Sequence, residues 1–281
     1  MIGRFFRFLT KLLILCMVLI CLAFVWMRWV EPSLLSVTRV EIYAADLPEM
    51  ADGLRIVQFS DTHFGFDYNV RRFERAVEKM NALDPHIVVF TGDLYEEYAK
   101  YPADDSGIVA ALSAIHAPQG KYAVLGNHDY GRNAQDDSIR ALEAGGFTVL
   151  RNESVDLSLL GITLTGIDDC FFGSGRSFDL SSLPTDTYNL VLCHEPDLFA
   201  ESDQSALDLL ISGHTHGGQV RLPFLGELIL PALGRFYPMG HYESDNARGS
   251  QLFVSRGLGT SKMPIRFLCM PEVALLTLHT K

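Results

Sequence analysis

The sequence is poor in cysteine, and its cysteines show no paired spacing. Of five cysteines, Cys16 and Cys21 fall in an apolar amino-terminal stretch, which leaves Cys170, Cys193 and Cys269 in the rest of the chain. An odd number of scattered cysteines predicts no disulfide framework, and no pair offers the thiolates of a structural zinc site. A metal site in this chain would therefore need oxygen and nitrogen ligands.

Basic residues are scarce beyond the amino terminus. The first 30 residues hold four of the 23 lysines and arginines and no acidic residue. The rest of the chain therefore has 19 basic against 34 acidic residues, a net charge of −15. This excess of negative charge argues against broad nucleic-acid binding, so we expect no nucleic-acid partner.

The amino terminus carries a long apolar stretch. No charged residue occurs between Leu12 and Met27, and with Trp29 and Val30 the stretch approaches the roughly 20 residues that cross a bilayer. A cleaved signal peptide and a buried core helix are the alternatives, but the bulky residues at 24–28 disfavour a signal-peptidase site. We predict one transmembrane helix that anchors the chain in the membrane.

The chain divides into three parts on this basis. Residues 1–30 form the predicted anchor, residues 31–50 a linker and first strand, and residues 51–281 one folded domain without internal repeats. Arg4, Arg7 and Lys11 precede the apolar stretch, whereas only Arg28 follows closely. The positive-inside rule then predicts a single-pass protein of the cell membrane with its domain outside the cytoplasm, and the cytoplasmic face remains the alternative.

Five short polar clusters each follow an apolar run rich in Val, Ile and Leu. The clusters are Asp61-Thr62-His63, Gly92-Asp93, Gly126-Asn127-His128-Asp129, His194-Glu195-Pro196 and Gly213-His214-Thr215-His216. Nearly continuous apolar runs are typical of strands buried on both faces in α/β proteins, where sites gather at the carboxyl ends of strands. We therefore expect the five clusters to meet in space.

The clusters supply a mixed set of ligand atoms. Two aspartates, four histidines and one asparagine combine carboxylate and amide oxygens with imidazole nitrogens. Such a mixture suits Zn, Mn or Fe(II) better than Ca or Mg alone. The predicted cofactors are two divalent metal ions of unassigned identity.

The order and spacing of the clusters resemble the calcineurin-like metallophosphoesterases. The pattern of that family is D-x-H, G-D, G-N-H-D/E, a later single H, and G-H-x-H, and all five elements occur here in order between Asp61 and His216. The family includes broad phosphodiesterases and UDP-2,3-diacylglucosamine pyrophosphatases. The resemblance implies a four-layer α/β/β/α sandwich of two mixed sheets, an α/β fold.

The resemblance also implies a role for each polar side chain. Asp61, His63 and His216 would bind the first metal, and Asp93 would bridge the two metals. Asn127, His194 and His214 would bind the second metal. The catalytic residue would be His128, beside the substrate phosphate, where an imidazole stabilises charge or protonates the leaving oxygen.

The function implied is hydrolysis of a phosphodiester or pyrophosphate bond by a hydroxide that bridges the metals. The expected partners are a phosphoester substrate, with a lipid-linked or cell-envelope compound as one option, and the membrane through the amino-terminal helix. A broad phosphomonoesterase is the alternative reaction, and a catalytically inert metal-binding scaffold is the alternative of another class. The sequence gives no indication of the oligomeric state.

Several other residues stay open in the sequence. Arg221, Arg235 and Arg256 are candidate phosphate clamps or simply packing residues, and His241 is a candidate substrate contact. His86, His116 and His279 are expected to be structural or exposed. The apolar loop at 222–239 is expected to pack onto the sheet, with a lipid-facing rim as the alternative.

A coarse pattern of helices and strands accompanies these motifs. Asn69 is a candidate cap of a helix with its apolar stripe at positions 70–83, and Gly145 with Gly146 closes another helix. Consecutive strands are predicted between 147 and 167, and further strands at 251–255 and 273–278.

Overall fold

The computed structural model describes residues 2–101, 104–131 and 134–281. Met1, the first residue of the predicted anchor, lies outside them. In chain order the main elements are α1 (Ile2–Val25), β1 (Ser36–Ala44), β2 (Leu54–Phe59), α2 (Val70–Ala82), β3 (Ile87–Thr91), α3 (Asp105–Ser113), β4 (Lys121–Val124), α4 (Asn127–Gly131), α5 (Gln135–Ala144), β5 (Thr148–Val149), β6 (Glu153–Leu157), β7 (Ile162–Gly166), β8 (Tyr188–Leu192), α6 (Leu198–Glu201), β9 (Leu209–Ser212), β10 (Arg221–Leu222), β11 (Gly226–Glu227), β12 (Gly240–Glu243), β13 (Gln251–Val254) and β14 (Glu272–Thr280).

Two six-stranded mixed sheets form the centre of the fold. The first has the order β1-β14-β2-β3-β4-β5, and the second has the order β12-β13-β9-β8-β7-β6. The strands β2, β3, β4 and β5 are mutually parallel, as are β13, β9, β8 and β7. Parallel neighbours end at the same edge of their sheet, which brings the loops that follow them together.

The sheets face each other across a shared apolar layer. Ile56, Val89 and Leu276 of the first sheet pack with Leu190 and Ile211 of the second in one buried cluster. Because both faces of these strands are covered, their sequences are continuous apolar runs rather than alternating ones.

The outer faces of the sheets are covered unequally. Helix α2 packs Phe73, Val77 and Met80 onto the first sheet, together with residues of α3 and α5. The second sheet is covered by the short helix α6, which contributes Phe199, and by loops, which contribute Leu180. The predicted α/β sandwich of two mixed sheets is confirmed, and its fourth layer is thin.

The local signals for helix ends also hold. The side chain of Asn69 accepts a hydrogen bond from the backbone N–H of Arg72 at 3.1 Å, which caps α2, and Gly145 ends α5. A capping side chain satisfies one of the backbone donors that a helix start leaves free.

The apolar amino-terminal helix stands outside the folded core. It is long and apolar enough to cross a bilayer, and no residue in its most apolar 18-residue stretch is buried. The alternative of a buried core helix is therefore wrong, whereas a membrane anchor and a signal sequence both fit this helix. Of the predicted linker at 31–50, residues 36–44 form β1, which pairs in parallel with β14.

Candidate metal centre

All the clusters predicted from sequence meet at one edge of the sandwich. Each begins within two residues of a strand end: at Asp61 after β2, Gly92 after β3, Gly126 after β4, His194 after β8 and Gly213 after β9. Three of these strands belong to the first sheet and two to the second. The site is therefore assembled between the sheets rather than within one segment of the chain.

In space, these residues form two sets of candidate metal ligands, which we call the first and the second cluster. The first cluster consists of Asp61, His63 and His216. The Nε2 atoms of His63 and His216 lie 3.0 Å apart, and His216 Nε2 lies 3.4 Å from Asp61 Oδ1. These are candidate ligand atoms converging on one point. Two imidazole nitrogens and a carboxylate oxygen at such distances fit a single divalent cation between them.

The second cluster consists of Asn127, His194 and His214. Three of its atoms are buried without a hydrogen-bond partner: Asn127 Oδ1, His194 Nε2 and His214 Nδ1. The other ring nitrogen of each histidine faces a backbone carbonyl, with His194 Nδ1 2.6 Å from Thr91 O and His214 Nε2 2.8 Å from Ala232 O. Those contacts fix the ring orientations and leave lone pairs for a cation, because a ligating histidine usually donates through its other nitrogen.

Asp93 lies between the two clusters. Its Oδ2 is 3.6 Å from His63 Nε2 and 3.2 Å from His194 Nε2. Its Oδ1 accepts a hydrogen bond from the backbone N–H of His128 at 2.8 Å, which fixes the carboxylate. One carboxylate oxygen facing both clusters is the arrangement needed for a bridge between two cations.

The backbone at the site takes up a left-handed conformation repeatedly. Asp61, His63, Asp93, His214 and His216 all have positive φ, between 47° and 72°. Non-glycine residues rarely adopt this region, and such strained residues concentrate at functional sites.

Gly92, with φ of 93°, precedes Asp93 and packs against the second cluster. A Cβ atom at this position would come within 2.6 Å of His194 Nδ1 and 2.7 Å of Gly126 N. The glycine in the Gly-Asp motif is therefore required both by conformation and by space.

Two of the four candidate histidine ligands have lowered pKa values. Burial lowers the pKa of His214 to about 4, with a further contribution from the charge of His194. Burial also lowers the pKa of His216 to about 3. Both imidazoles are neutral near pH 7, which is the form that binds metals.

The carboxylates at the site stay ionised despite their burial. Burial raises the pKa of Asp93, but the charges of His194 and His128 reverse the shift and hold it well below its usual range. For Asp61, burial is likewise outweighed by His216 and His63. Two buried carboxylates that need positive neighbours make a strong cation site.

Sequence patterns missed Glu96, which connects the clusters to the cleft. Its Oε2 lies 2.7 Å from His63 Nδ1 and 3.3 Å from His128 Nδ1. Burial raises the pKa of Glu96, but hydrogen bonding to His63 and the charge of that histidine bring it to about 2. The only sequence signal was its position three residues after Asp93.

Asp129 belongs to the Gly126-Asn127-His128-Asp129 cluster, and the motif itself predicts no role for it. This fully buried carboxylate accepts hydrogen bonds from the backbone N–H groups of Asp93, Leu94 and Gly126 and from the Ser138 hydroxyl. It ties the loops after β3 and β4 together, so it positions Asp93 and Asn127.

His128 lies at the wall of an open cleft that leads to both clusters. The cleft has a volume of about 330 Å³ and is lined by Asp93, Asn127, His214 and Thr215 among others. The Nδ1 of His128 bonds the Glu96 carbonyl at 3.0 Å, while its Nε2 lies 3.5 Å from Ser261 Oγ. A cleft of this size admits a substrate rather than single waters.

Other candidates lie elsewhere. Arg256 pairs with the buried carboxylate of Glu272, and Arg221 pairs with Glu227 at 2.9 Å, so both have structural partners. His241 Nε2 lies 2.8 Å from Gln251 Oε1 in the second sheet. Of the three arginine candidates, Arg235 is exposed.

The apolar loop at 222–239 corrects an expectation. It was expected to pack onto the sheet, and Leu233 and Tyr237 do pack there. However, Phe224, Leu225 and Ile229 are largely exposed, so packing explains only part of the loop.

The comparison with known families matches this geometry. The sequence profile of the family described as Calcineurin-like phosphoesterase matches residues 54–218, more than half of the chain. The chain belongs to the calcineurin-like phosphoesterase family. Membership confirms the expected fold and the expected class of enzyme, a metallophosphoesterase.

Relatives in this family cover nearly the whole chain. A Bacillus subtilis protein named uncharacterized metallophosphoesterase YkuE is 34% identical over 90% of this chain and 88% of its own length. A Chlamydia trachomatis protein named UDP-2,3-diacylglucosamine pyrophosphatase LpxG is 30% identical over 91% of this chain and 92% of its own length. An uncharacterized metallophosphoesterase from Aquifex aeolicus is 31% identical over 86% of this chain.

Proposed function

We propose that the chain is a membrane-anchored dinuclear metallophosphoesterase that hydrolyses a phosphodiester or pyrophosphate bond. The observation that carries this proposal is the set of three buried atoms without partners, Asn127 Oδ1, His194 Nε2 and His214 Nδ1. Unpaired buried polar atoms are costly, and a cation satisfies all three at once.

Each metal has its own set of residues in this proposal. Asp61, His63 and His216 hold one ion, Asn127, His194 and His214 hold the other, and Asp93 bridges them. The mixed oxygen and nitrogen donors fit Zn, Mn or Fe(II). When bound, two such cations supply Lewis-acid charge to the phosphoryl oxygens and lower the pKa of a nearby water.

His128 is the proposed proton donor to the leaving oxygen. Its Nδ1 contacts the Glu96 carbonyl, so its Nε2 is the nitrogen that can hold a proton towards the cleft. Glu96 contacts the Nδ1 atoms of both His63 and His128, at 2.7 Å and 3.3 Å, and so helps to orient the His128 ring. Glu96 is thus a positioning residue that links proton supply to the first cluster.

A direct test separates this proposal from an inert scaffold. We expect the purified full-length protein in detergent to contain two equivalents of transition metal by elemental analysis. It should also hydrolyse para-nitrophenyl methyl phosphate, and a chelator should abolish that activity. Protein that holds metal but leaves every phosphoester intact would favour the scaffold.

The kind of bond cleaved is decided by a substrate panel. The relative named as a UDP-2,3-diacylglucosamine pyrophosphatase supports a pyrophosphate or lipid-linked substrate. We expect kcat/KM for a diester or a nucleotide-linked lipid to exceed that for para-nitrophenyl phosphate. The opposite order would establish the phosphomonoesterase alternative.

Membrane anchoring through α1 and the side that the domain faces are part of the proposal. Three cations before the apolar stretch against Arg28 after it support a cytoplasmic tail and an external domain. Arg28 lies 3.0 Å from Asp67 of the domain, so its charge is already paired on that side. A nucleotide-linked lipid would instead require a cytoplasmic domain.

Carboxyl-terminal fusions to alkaline phosphatase and to a green fluorescent protein test this orientation. We expect the alkaline phosphatase fusion to be active and the green fluorescent protein fusion to show no fluorescence. The reverse result would place the domain in the cytoplasm. A full-length protein that remains in the membrane after carbonate washing supports the anchor. A shortened soluble protein would identify α1 as a cleaved signal sequence.

A further inference from the structure

A group of large apolar side chains is exposed at the side of the cleft. Phe224, Leu225 and Ile229 are 107%, 76% and 70% exposed, which is unusual for side chains of this kind. Leu228 beside them, and Met263 and Leu268 on the loop between β13 and β14, are about half exposed. We define the apolar rim as these six residues: Phe224, Leu225, Leu228, Ile229, Met263 and Leu268. Contiguous exposed apolar surface usually marks a binding surface.

The rim is continuous with the cleft. Leu228, Ile229 and Met263 line the same cleft as His128 and His214. Phe224 and Leu225 form the tip of the hairpin between β10 and β11, which projects from the same loop. A surface bound by the rim would therefore lie directly at the cleft mouth.

The two loops of the rim are joined by backbone hydrogen bonds. The N–H of Arg221 donates to Phe267 O at 2.9 Å, and the N–H of Phe267 donates to Gln219 O at 2.9 Å. The hairpin and the segment at 263–268 therefore form one unit.

That unit also holds the end of the amino-terminal helix. The N–H of Arg266 donates to Met27 O at 2.9 Å, and the N–H of Cys269 donates to the buried Glu31 carboxylate at 2.5 Å. Trp26 donates to the same carboxylate at 2.8 Å. The helix end is thus fixed to the segment between Met263 and Leu268, rather than connected through a free linker.

Tryptophans at this helix end indicate the level of the membrane surface. Trp26 and Trp29 lie at the last turns before the domain, and such residues favour the boundary between lipid and water. The segment at 263–268 carries rim residues and also binds the end of the amino-terminal helix. The rim therefore lies near the membrane surface that these tryptophans indicate.

The charge around the rim fits a membrane with anionic lipid. Residues 228–242 and 256–271 contain no acidic residue, although the chain after residue 30 has a net charge of −15. Both segments carry basic residues, including the exposed Arg235 and Lys262. The one acidic residue of the hairpin, Glu227, is paired with Arg221, so the described rim segments carry no unpaired acidic side chain.

We propose that the apolar rim inserts into the interfacial region, between head groups and acyl chains, of the bilayer that holds α1. The helix end and the rim are then two membrane contacts of one rigid unit, and they place the cleft mouth at the level of the lipid head groups. Substrate enters from the bilayer, so the phosphoester belongs to a lipid. The statement about substrate rests on the proposed hydrolysis, whereas the insertion of the rim rests only on the proposed membrane anchoring through α1.

Insertion is tested with an environment-sensitive probe on the full-length protein. In a Cys16→Ser, Cys21→Ser background, Leu225→Cys is labelled with an NBD fluorophore and reconstituted into vesicles of phosphatidylcholine and phosphatidylglycerol. The remaining cysteines are buried, and the background protein without an added cysteine measures their labelling. We expect blue-shifted emission that is quenched by lipids with nitroxide-labelled acyl chains.

Leu159→Cys is the matched control. Leu159 is 83% exposed in the turn before β7, at the opposite end of that strand from the cleft edge. We expect its label to report water and to escape quenching. Equal responses at 225 and 159 would overturn the proposal. Shielding at 225 without lipid quenching would overturn it as well and would indicate contact with a second copy of this chain.

The substrate statement is tested with two esters that share one leaving group. The double variant Phe224→Glu/Leu225→Glu changes rim residues that do not line the cleft. In the same vesicles we expect hydrolysis of para-nitrophenyl hexadecyl phosphate to fall by about tenfold or more, because charged residues cannot insert. Hydrolysis of soluble para-nitrophenyl methyl phosphate should be unchanged, as should both activities of Leu159→Glu.

The outcomes separate the two proposals. Equal loss with both esters, or no loss with either, would refute substrate entry from the bilayer while leaving hydrolysis established. A wild-type protein that cleaves neither ester would refute the proposed function, and the fluorescence result would still decide whether the rim inserts.

Discussion

The strand-end clusters and the apolar rim depart from ordinary burial in opposite directions. Asp61, His63 and Asp93 are polar side chains almost sealed from solvent, whereas Phe224 and Leu225 are apolar side chains largely in solvent. Each arrangement is unfavourable in an isolated domain in water. Each becomes favourable with a particular partner, a cation in one region and a lipid surface in the other.

The two regions also differ in how firmly they are held. Residues of the clusters follow strands that are almost entirely buried, and Asp129 fixes the loops around Asp93 through three backbone N–H groups. Phe224 stands at the tip of a hairpin whose strands have two residues each. Chemistry requires fixed atoms, whereas insertion into a lipid surface requires exposed apolar area, so substitutions should affect the two regions differently.

The largest effect is expected from Asp93→Asn. The amide removes the charge that faces both clusters, so the protein should lose metal and kcat/KM should fall by more than about 100-fold, beyond the effect of residues that only support ligands. Elemental analysis and hydrolysis of para-nitrophenyl methyl phosphate measure both quantities. Asp156→Asn, on the exposed edge strand β6, is the matched control and should retain both.

Gly92→Ala should be nearly as damaging, for a steric reason. The added Cβ lies within 2.6 Å of His194 Nδ1, so the second cluster must shift and lose its metal. Gly53→Ala shares the positive φ but has open space around the added atom. We expect the control to lose only about 1–2 kcal/mol of unfolding free energy in urea titrations and to keep its metal.

Equal metal loss in both alanine variants would contradict the steric explanation. It would mean that backbone strain alone sets the geometry of the second cluster. Normal metal content in Gly92→Ala would instead show that the loop can yield.

Glu96→Gln tests the link between the first cluster and His128. Loss of its charge should weaken metal binding at the first cluster and reduce kcat by about 10 to 100-fold, as for other residues that orient ligands. Because Glu96 also contacts His128 Nδ1, part of the loss in kcat should remain when excess metal keeps the first cluster occupied. Glu143→Gln, on the exposed side of α5, is the control.

A kcat that excess metal restores to the wild-type value would limit Glu96 to supporting the first cluster. A loss that persists at saturating metal would show that Glu96 also positions His128.

Much of the cluster arrangement was predictable because its residues follow recognisable strands. Apolar runs ending in Asp61, Asp93 and His214 indicate strand ends in any α/β fold, and parallel strands bring such ends to one edge. Glu96 was not predictable, because its contacts depend on the path of a loop with no periodic pattern. A single carboxylate in a loop carries no local signal of what it faces.

The rim was not predictable for a related reason. Leu222 to Met239 has the same apolar composition whether its side chains face a sheet or solvent, and the structure divides them between both. Leu233 packs onto the second sheet and Phe224 does not. The contact between Arg266 and Met27, 239 residues apart, also has no sequence pattern.

A smaller effect is expected from Glu31→Ala, which releases the helix end from the rim segment. The N–H of Cys269 and the Trp26 indole lose their acceptor, at a cost of about 1–3 kcal/mol of unfolding free energy. Activity on the vesicle ester should fall a few-fold while activity on the soluble ester is retained. Ser33→Ala, an exposed site beside it, should change neither, and equal loss on both esters would show that Glu31 supports the metal site instead.

The smallest effect is expected at His241, and it is informative beside His128. Both histidines follow apolar segments, but His128 lines the cleft and His241 pairs with Gln251 in the second sheet. His128→Gln should lower kcat by about 100-fold or more, because it removes a proton donor. His241→Gln keeps a hydrogen-bonding side chain and should leave kcat and KM unchanged, with unfolding free energy within about 0.5 kcal/mol of wild type. A raised KM in His241→Gln would instead extend the substrate surface from the cleft to β12.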